Sequence, residues 1–214
     1  MLLETLKLKA MERGLLKAED EIDLERAFSL VRDMPYVRAS SRDPETIIRE
    51  WRGTCSGKHY LLKKLFAELG YSSRVMACTT VTYIDPKKTI GNLRRLLQRT
   101  NGRFVDVHNY VVIELPEKEM IVDATWPLAT QGMSTVVNER FVLGVDQRIA
   151  CEPIKTFIVP EDRNSQEFKD EILKASFSPE ELAHREEFIR ELGIVTNSRW
   201  VRFLVWLQKT FAKR

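Results

Sequence analysis

Residues 107–125 read VHNYVVIELPEKEMIVDAT, and this stretch decides the fold. Two runs rich in β-branched residues, about Val107 to Leu115 and Met120 to Thr125, flank a short loop containing Pro116. That pattern predicts an antiparallel hairpin. Side chains alternate along a strand. If Glu114 pairs with Glu119, His108, Tyr110 and Val112 share a face with Ile121, Asp123 and Thr125. His108 then stands opposite Thr125, one diagonal step from Asp123. Diagonal neighbours are about 7–8 Å apart, within reach of a His–Asp hydrogen bond. A slip of one residue would put the two on opposite faces. The other face carries Val111, Ile113, Leu115, Met120, Val122 and Ala124. With both faces apolar, the hairpin is expected at the centre of its sheet. A buried acid and a buried histidine need partners, and the simplest are each other. They either orient a reactive group or merely brace the sheet.

Outward from the hairpin, Ser73 to Tyr83 predicts another strand, and Glu139–Leu143 and Ile154–Val159 are strand-like. Upstream, a helix is predicted from about Cys55 to Leu69, with Thr54 as N-cap, Gly70 as stop and an apolar stripe of Leu61, Leu62, Leu65, Phe66 and Leu69. Asp43-Pro44-Glu45 starts a shorter helix that leads into Gly53-Thr54-Cys55. Residues 2 to about 34 read as helical up to Pro35, and Thr89 to Arg99 as a helix on an insertion closed by Asn101-Gly102. Ser178-Pro179-Glu180-Glu181 is a capping box opening a helix that runs to Gly193, and a last helix covers about Ser198 to Lys213. Helices, then strands, then helices make an α+β chain with an antiparallel sheet. We expect one domain over residues 1–160, with a helical extension, residues 161–214, packed on it.

The 34 basic and 31 acidic residues leave a net charge of +3, which does not argue for a nucleic-acid partner or a membrane. Three cysteines, Cys55, Cys78 and Cys151, form no CxxC pair, and one must stay unpaired, which points to a reduced, intracellular chain. Charges interrupt the N-terminal segment, and no stretch approaches the roughly 20 apolar residues of a spanning helix. A cytoplasmic location is expected.

Cys55 sits where its helix begins. A cysteine attacks as the thiolate, and a helix N-terminus stabilises that charge. Gly53 would let the chain turn sharply and leave room for a substrate, and the Cys55 N–H would face a developing oxyanion. The alternative is a small buried residue at a helix start. Lys58 and His59, one turn on, would support the thiolate or a substrate carboxylate if they face the site, but a solvated helix turn is the commoner arrangement. His59 has no sequence-local acid to orient it as a base. Cys55, His59, Cys78 and His108 match no structural zinc spacing, so no metal is expected. Cys78 is expected in the core and His184 on an exposed helix face. The insertion's Lys87, Lys88, Arg94, Arg95, Arg99 and Arg103 lack interleaved aromatics and read as a solvated face. The helix 198–213 carries Trp200, Phe203, Trp206 and Phe211 among basic residues; it would pack on the domain, or dock a partner or a membrane surface.

Together these segments resemble the transglutaminase-like superfamily. Gly53-Thr54-Cys55 before a leucine-rich helix ending in Leu69-Gly70-Tyr71, with Arg74-Val75 after it, is similar to the family's nucleophile segment. His108-Asn109-Tyr110 resembles its His-x-aromatic strand, and Asp123-Ala124-Thr125-Trp126-Pro127 its Asp-x-Thr strand end. The resemblance covers roughly residues 27 to 130 and leaves 140–214 without a counterpart. It implies a papain-like fold, with the nucleophile helix packed on a central antiparallel sheet. It also implies that Cys55 is the nucleophile, His108 the general base and Asp123 its orienting acid. The activity implied is acyl transfer or cleavage of a peptide, protein or small amide or ester, with no cofactor. Ser56-Gly57-Lys58-His59 lacks the acidic or aromatic residues often seen after the family's cysteine. Trp51, Lys58 and Tyr110 are the candidate oxyanion or substrate contacts. Arg52-Gly53-Thr54-Cys55 is also similar, more weakly, to the arylamine N-acetyltransferases, which use the same triad logic. The alternative from another class is a non-catalytic domain of this shape that binds through its C-terminal helix.

Overall fold

The computed structural model describes residues 1–132, 135–161 and 165–197. Its centre is one antiparallel sheet of four strands: Ser73–Tyr83 (β1), Arg103–Glu114 (β2), Glu119–Val122 (β3) and Lys155–Ile158 (β4), in the order β3-β2-β1-β4. The hairpin register is the one read from the glutamates: Glu114 faces Glu119, and Val112 faces Ile121. The ladder stops at Val111–Val122, so Asp123 leaves the sheet just after its last pair. β2 is central, and His108 is paired instead with Cys78 of β1.

Four helices precede the sheet: Leu2–Glu12 (α1), Leu24–Asp33 (α2), Pro44–Glu50 (α3) and Cys55–Glu68 (α4). Residues 2–34 are thus two helices, not one. Gly14, with φ +68°, takes the chain out of α1, and Asp23 restarts it by accepting from the Arg26 N–H at 2.8 Å. Asp43 caps α3 as expected, accepting from the Thr46 N–H at 3.2 Å, with Pro44 in the first helical position. α4 is the fold's keel. It packs on β2 and β1 and against α2 and α3. Its Leu61, Leu62, Leu65 and Phe66 are fully buried. Burial of four such side chains contributes about 6–12 kcal/mol before chain entropy is counted.

After β1 comes Gly91–Arg99 (α5), and after β4 come Ser165–Ser176 (α6) and Pro179–Asn197 (α7). α6 opens the expected helical extension ahead of the Ser178 capping box, and α7 runs past Gly193. α6 packs on β1 and β2, and α7 on β2 and α5. The strand expected at 139–143 is irregular backbone. Side chains hold this segment rather than a ladder: Asn138 Nδ2 donates to the carbonyls of Asp123 (2.8 Å) and Arg148 (2.9 Å). Phe141 turns inward against Phe28 and Phe66, with ring centroids 5.6 and 6.2 Å away. The predicted helix 198–213 lies outside the described residues. No helix among those described is long and apolar enough to cross a membrane.

Candidate active site

Cys55 is the first residue of α4, set there by a tight junction with α3. The sharp turn is made by Trp51, left-handed at φ +51°, and not by Gly53. Gly53 serves a different need: a Cβ there would lie 3.3 Å from Lys58 Cγ and 3.4 Å from Ile47 Cδ1. Gly57 is tighter still, with Ile47 Cδ1 only 2.5 Å from where a Cβ would stand. These two glycines let α3 lie against the first turn of α4 and fix the height of Cys55 over the sheet. Thr54 is extended, as an N-cap should be, but its side chain makes no capping bond. Its hydroxyl therefore does not cover the positive end of α4 at the thiol.

His108 is the imidazole neighbour of the Cys55 thiol, and each favours the charged form of the other. His108 Nε2 donates to Asp123 Oδ2 at 2.7 Å, which leaves Nδ1 as the ring nitrogen for Cys55. Asp123 is held by more than the imidazole. Its Oδ2 also accepts from the Ala150 N–H (2.8 Å) and its Oδ1 from the Thr125 N–H (2.9 Å). Burial favours the neutral acid, but His108 and these donors outweigh it and hold the Asp123 carboxyl well below the usual carboxylate range. Burial would likewise discharge His108, yet Asp123 and Cys55 push its imidazolium well above its ordinary value.

The third influence on the thiol comes from α6, within the C-terminal helical extension. Lys169 of α6 is buried, and its Nζ lies 3.9 Å from Cys55 Sγ and 3.2 Å from Ser56 Oγ. Burial opposes ionisation of Cys55, but Lys169 and His108 overcome it and lower the thiol pKa to about 6. Burial in turn lowers Lys169, while Cys55 and Asp106 favour its charged form. Asp106, two residues before His108 on β2, is 3.8 Å from Lys169 Nζ and accepts from Arg185 of α7 at 2.6 and 2.7 Å. Ser56 Oγ donates to Asn109 Oδ1 at 2.8 Å, and Asn109 Nδ2 donates to the Met76 carbonyl at 3.1 Å. The first turn of α4 is thereby tied to β2 and β1 around the thiol.

Lys58 and His59 are not a solvated turn; both are fully buried. Lys58 Nζ donates to the carbonyls of Arg32 (2.8 Å) and Thr125 (3.0 Å), pinning α2 to the segment after Asp123. Burial outweighs the attraction of Asp33 and Asp123 and lowers the ammonium pKa to about 7. His59 Nε2 accepts from the Ala124 N–H at 2.9 Å, so Nδ1 carries the proton and donates to the Cys55 carbonyl at 2.7 Å. Burial outweighs the nearby Asp123, 3.6 Å away, and lowers its pKa to about 4. A neutral His59 therefore braces Cys55 against the Asp123 strand, with both ring nitrogens engaged. Trp51 is in the apolar core with the Arg13 guanidinium 5.2 Å above its ring, not beside the thiol. Tyr110 stacks behind His108 at 6.5 Å and packs with Cys78 and Val112. None of the three expected oxyanion or substrate contacts lines the cleft at Cys55.

That cleft, about 340 Å³, is bounded by residues 36–42, the start of α4, α6 and α7. Tyr36, not singled out by the sequence, is the aromatic in it, packed at a tilt on Trp126 with centroids 4.4 Å apart. Burial and the negative charge of Cys55 and Asp106 push its phenol well above its ordinary value, so it stays an O–H donor. Two signals pointed to the missed residues. Asp106 shares the alternation of His108 on β2. Lys169 interrupts the helical stripe of Phe168, Ile172 and Leu173, as Arg185 interrupts that of Leu182, Phe188 and Ile189. Cys78 is core, with its sulfur 3.7 Å from that of Cys151. His184 is half-buried, not exposed, 3.9 Å from Glu180. Among the described residues no three His, Cys, Asp or Glu side chains converge as metal ligands. No family model matches the chain, and no curated protein matches it.

Proposed function

We propose that this protein is a thiol-dependent acyltransferase or amide hydrolase of the transglutaminase-like kind, with a papain-like arrangement of its nucleophile helix on the sheet. The observation that carries the reading is the buried His108–Asp123 hydrogen bond beside a thiol whose ionised form His108 and a buried Lys169, 3.9 Å from the sulfur, both favour. A helix brace or a core cysteine needs no such cation. Three thiols without a disulfide suit a reducing, cytoplasmic setting.

The chemistry runs on the chain's own groups. The Cys55 thiolate attacks an amide or ester carbonyl carbon, and the C=O electron pair moves onto oxygen. The Cys55 N–H at the start of α4 and the hydroxyl of Tyr36, which lines the same cleft, are the donors this reading assigns to that charge. The intermediate collapses, the C–N or C–O bond breaks, and the leaving group takes the proton from His108 Nδ1. Water or an amine then attacks the thioester and gives a proton back to Nδ1; the C–S bond breaks and the thiolate returns. Asp123 keeps Nε2–H in place throughout, so that Nδ1 is the nitrogen that cycles. The acceptor, water or an amine, separates a hydrolase from a transferase.

The test is iodoacetamide labelling of Cys55 against pH, read by mass spectrometry. The reading expects labelling with a midpoint near the thiol pKa of about 6 that slows at least tenfold at that pH in His108→Ala. A midpoint at an ordinary thiol value, unchanged by the substitution, would mean a retired triad in a binding domain.

A further inference from the structure

The cleft beside Cys55 carries more positive groups than the thiol needs. Arg38, Arg42, Lys169 and Arg185 all line it. Three of them are committed. Arg185 holds Asp106 and touches Glu186, Arg38 binds Glu186 at 2.9 Å, and Lys169 sits between Asp106 and the sulfur. Arg42 differs: its NH1 is buried without a hydrogen-bond partner among the described residues. Leaving such a donor unsatisfied costs about 1–3 kcal/mol, more for a charged group. The cost is removed when a ligand supplies the acceptor. Arg42 stands just before the Asp43 cap of α3 and lines the same cleft as Cys55, so that one ligand in the cleft would meet both.

We propose that Arg42 is a carboxylate-binding residue and that the acyl donor is a small molecule or chain end bearing a carboxylate beside the carbonyl that Cys55 attacks. This rests on the nucleophile reading above and narrows its substrate class. A guanidinium matches a carboxylate's two oxygens in a planar fork. The volume of about 340 Å³ is at the small end for ligand sites, room for a short donor but not for a folded segment. Asp170 on the same wall attracts Arg42 without giving its NH1 a hydrogen bond, so a carboxylate ligand would still complete the fork, whereas a cationic donor would meet Lys169 and Arg42 together.

Succinate and its neutral counterpart succinamide separate the idea from its alternatives. Their binding is measured by calorimetry to the full chain and to Arg42→Gln and Arg42→Lys. Succinate is expected to bind the wild type, to weaken by about tenfold or more in Arg42→Gln, and to recover in part in Arg42→Lys; succinamide is expected to bind far more weakly. Absent succinate binding, equal binding of the two compounds, or succinate binding unchanged in Arg42→Gln would each overturn the assignment. Iodoacetamide labelling of the same wild-type sample reports the nucleophile separately. An ordinary thiol that still shows Arg42-dependent succinate binding would sink the acyl-transfer reading and leave the carboxylate site standing. An activated thiol with no succinate binding would do the reverse.

Discussion

Lys169→Met isolates the charge of one ammonium on one sulfur. At 3.9 Å, and with the effective dielectric constant of about 20 that suits protein sites, the attraction between Lys169 Nζ and a Cys55 thiolate is about 4 kcal/mol. At about 1.4 kcal/mol per unit, that corresponds to roughly 3 units of thiol pKa. The figure is an upper bound, because Asp106 shares the ammonium from 3.8 Å. Methionine has nearly the volume of lysine, and Arg185 remains on Asp106 in the variant, so the acid is not stranded. The labelling midpoint of Cys55 should therefore climb from about 6 to about 8 or above. Lys169→Arg keeps the charge and should hold the midpoint low. The assay is the pH dependence of the iodoacetamide rate constant at Cys55, with circular dichroism to confirm folding. If Lys169→Met leaves the midpoint where it was, the ammonium is not what stabilises the thiolate. If Lys169→Arg raises it as much as methionine does, packing and not charge is responsible.

Asp123→Asn should lower the His108 imidazolium pKa and slow Cys55 labelling near pH 6.5 by roughly 10²-fold, because one of two acceptor oxygens becomes a donor facing the Thr125 N–H; an unchanged His108 titration by NMR would refute it. Gly57→Ala should destabilise the fold by about 1–3 kcal/mol in urea titrations, since its Cβ would stand 2.5 Å from Ile47 Cδ1 in a closed core; a loss within experimental error would mean that α3 gives way freely. His59 is neutral in the fold with its pKa lowered to about 4, against about 6.5 unfolded, so its contribution is whole above pH 6.5 and is lost as pH falls toward 4, by about 3 kcal/mol. The His108 pair has the opposite sign and is fully present throughout that window, so a urea midpoint that stays flat from pH 6.5 to 4 would contradict the His59 assignment.

Much of the sheet and the His108–Asp123 contact were legible because they obey local rules. β-branched runs and two glutamates set the β2–β3 register, and period-two alternation put His108 and Asp123 on one side. The helix at Cys55 announced itself by its leucine stripe. What stayed hidden depends on long-range packing. Nothing local distinguishes Lys58, which fills a buried gap between two carbonyls, from a lysine on a wet helix turn. The turn before α4 reads as a task for Gly53, yet Trp51 takes the left-handed conformation because its ring is clamped in the core under Arg13, while both glycines are spent on helix contact. The segment 139–143 alternates like a strand, but Asp146 and Gln147 bond the free edge of β3 at Ile121, and the Asn138 side chain ties the segment down instead.

The site also divides along the chain. The triad and its braces lie between Cys55 and Ala150, whereas the cation that makes the thiol ionisable comes from α6 and the one that neutralises Asp106 from α7. Asp106 would otherwise work against the thiolate, since its charge raises the Cys55 pKa. Arg185 and Lys169 therefore act as a pair: one takes the acid's charge, and the other is left to share with the sulfur. A nucleophile helix and a His–Asp strand pair would place the atoms without α6 and α7, but His108 alone would then have to offset the burial that opposes the thiolate. On the proposed reading, geometry and ionisation are thus supplied by different parts of the sequence, with Lys169 of α6 acting beside His108 on the thiol and Arg185 of α7 holding Asp106.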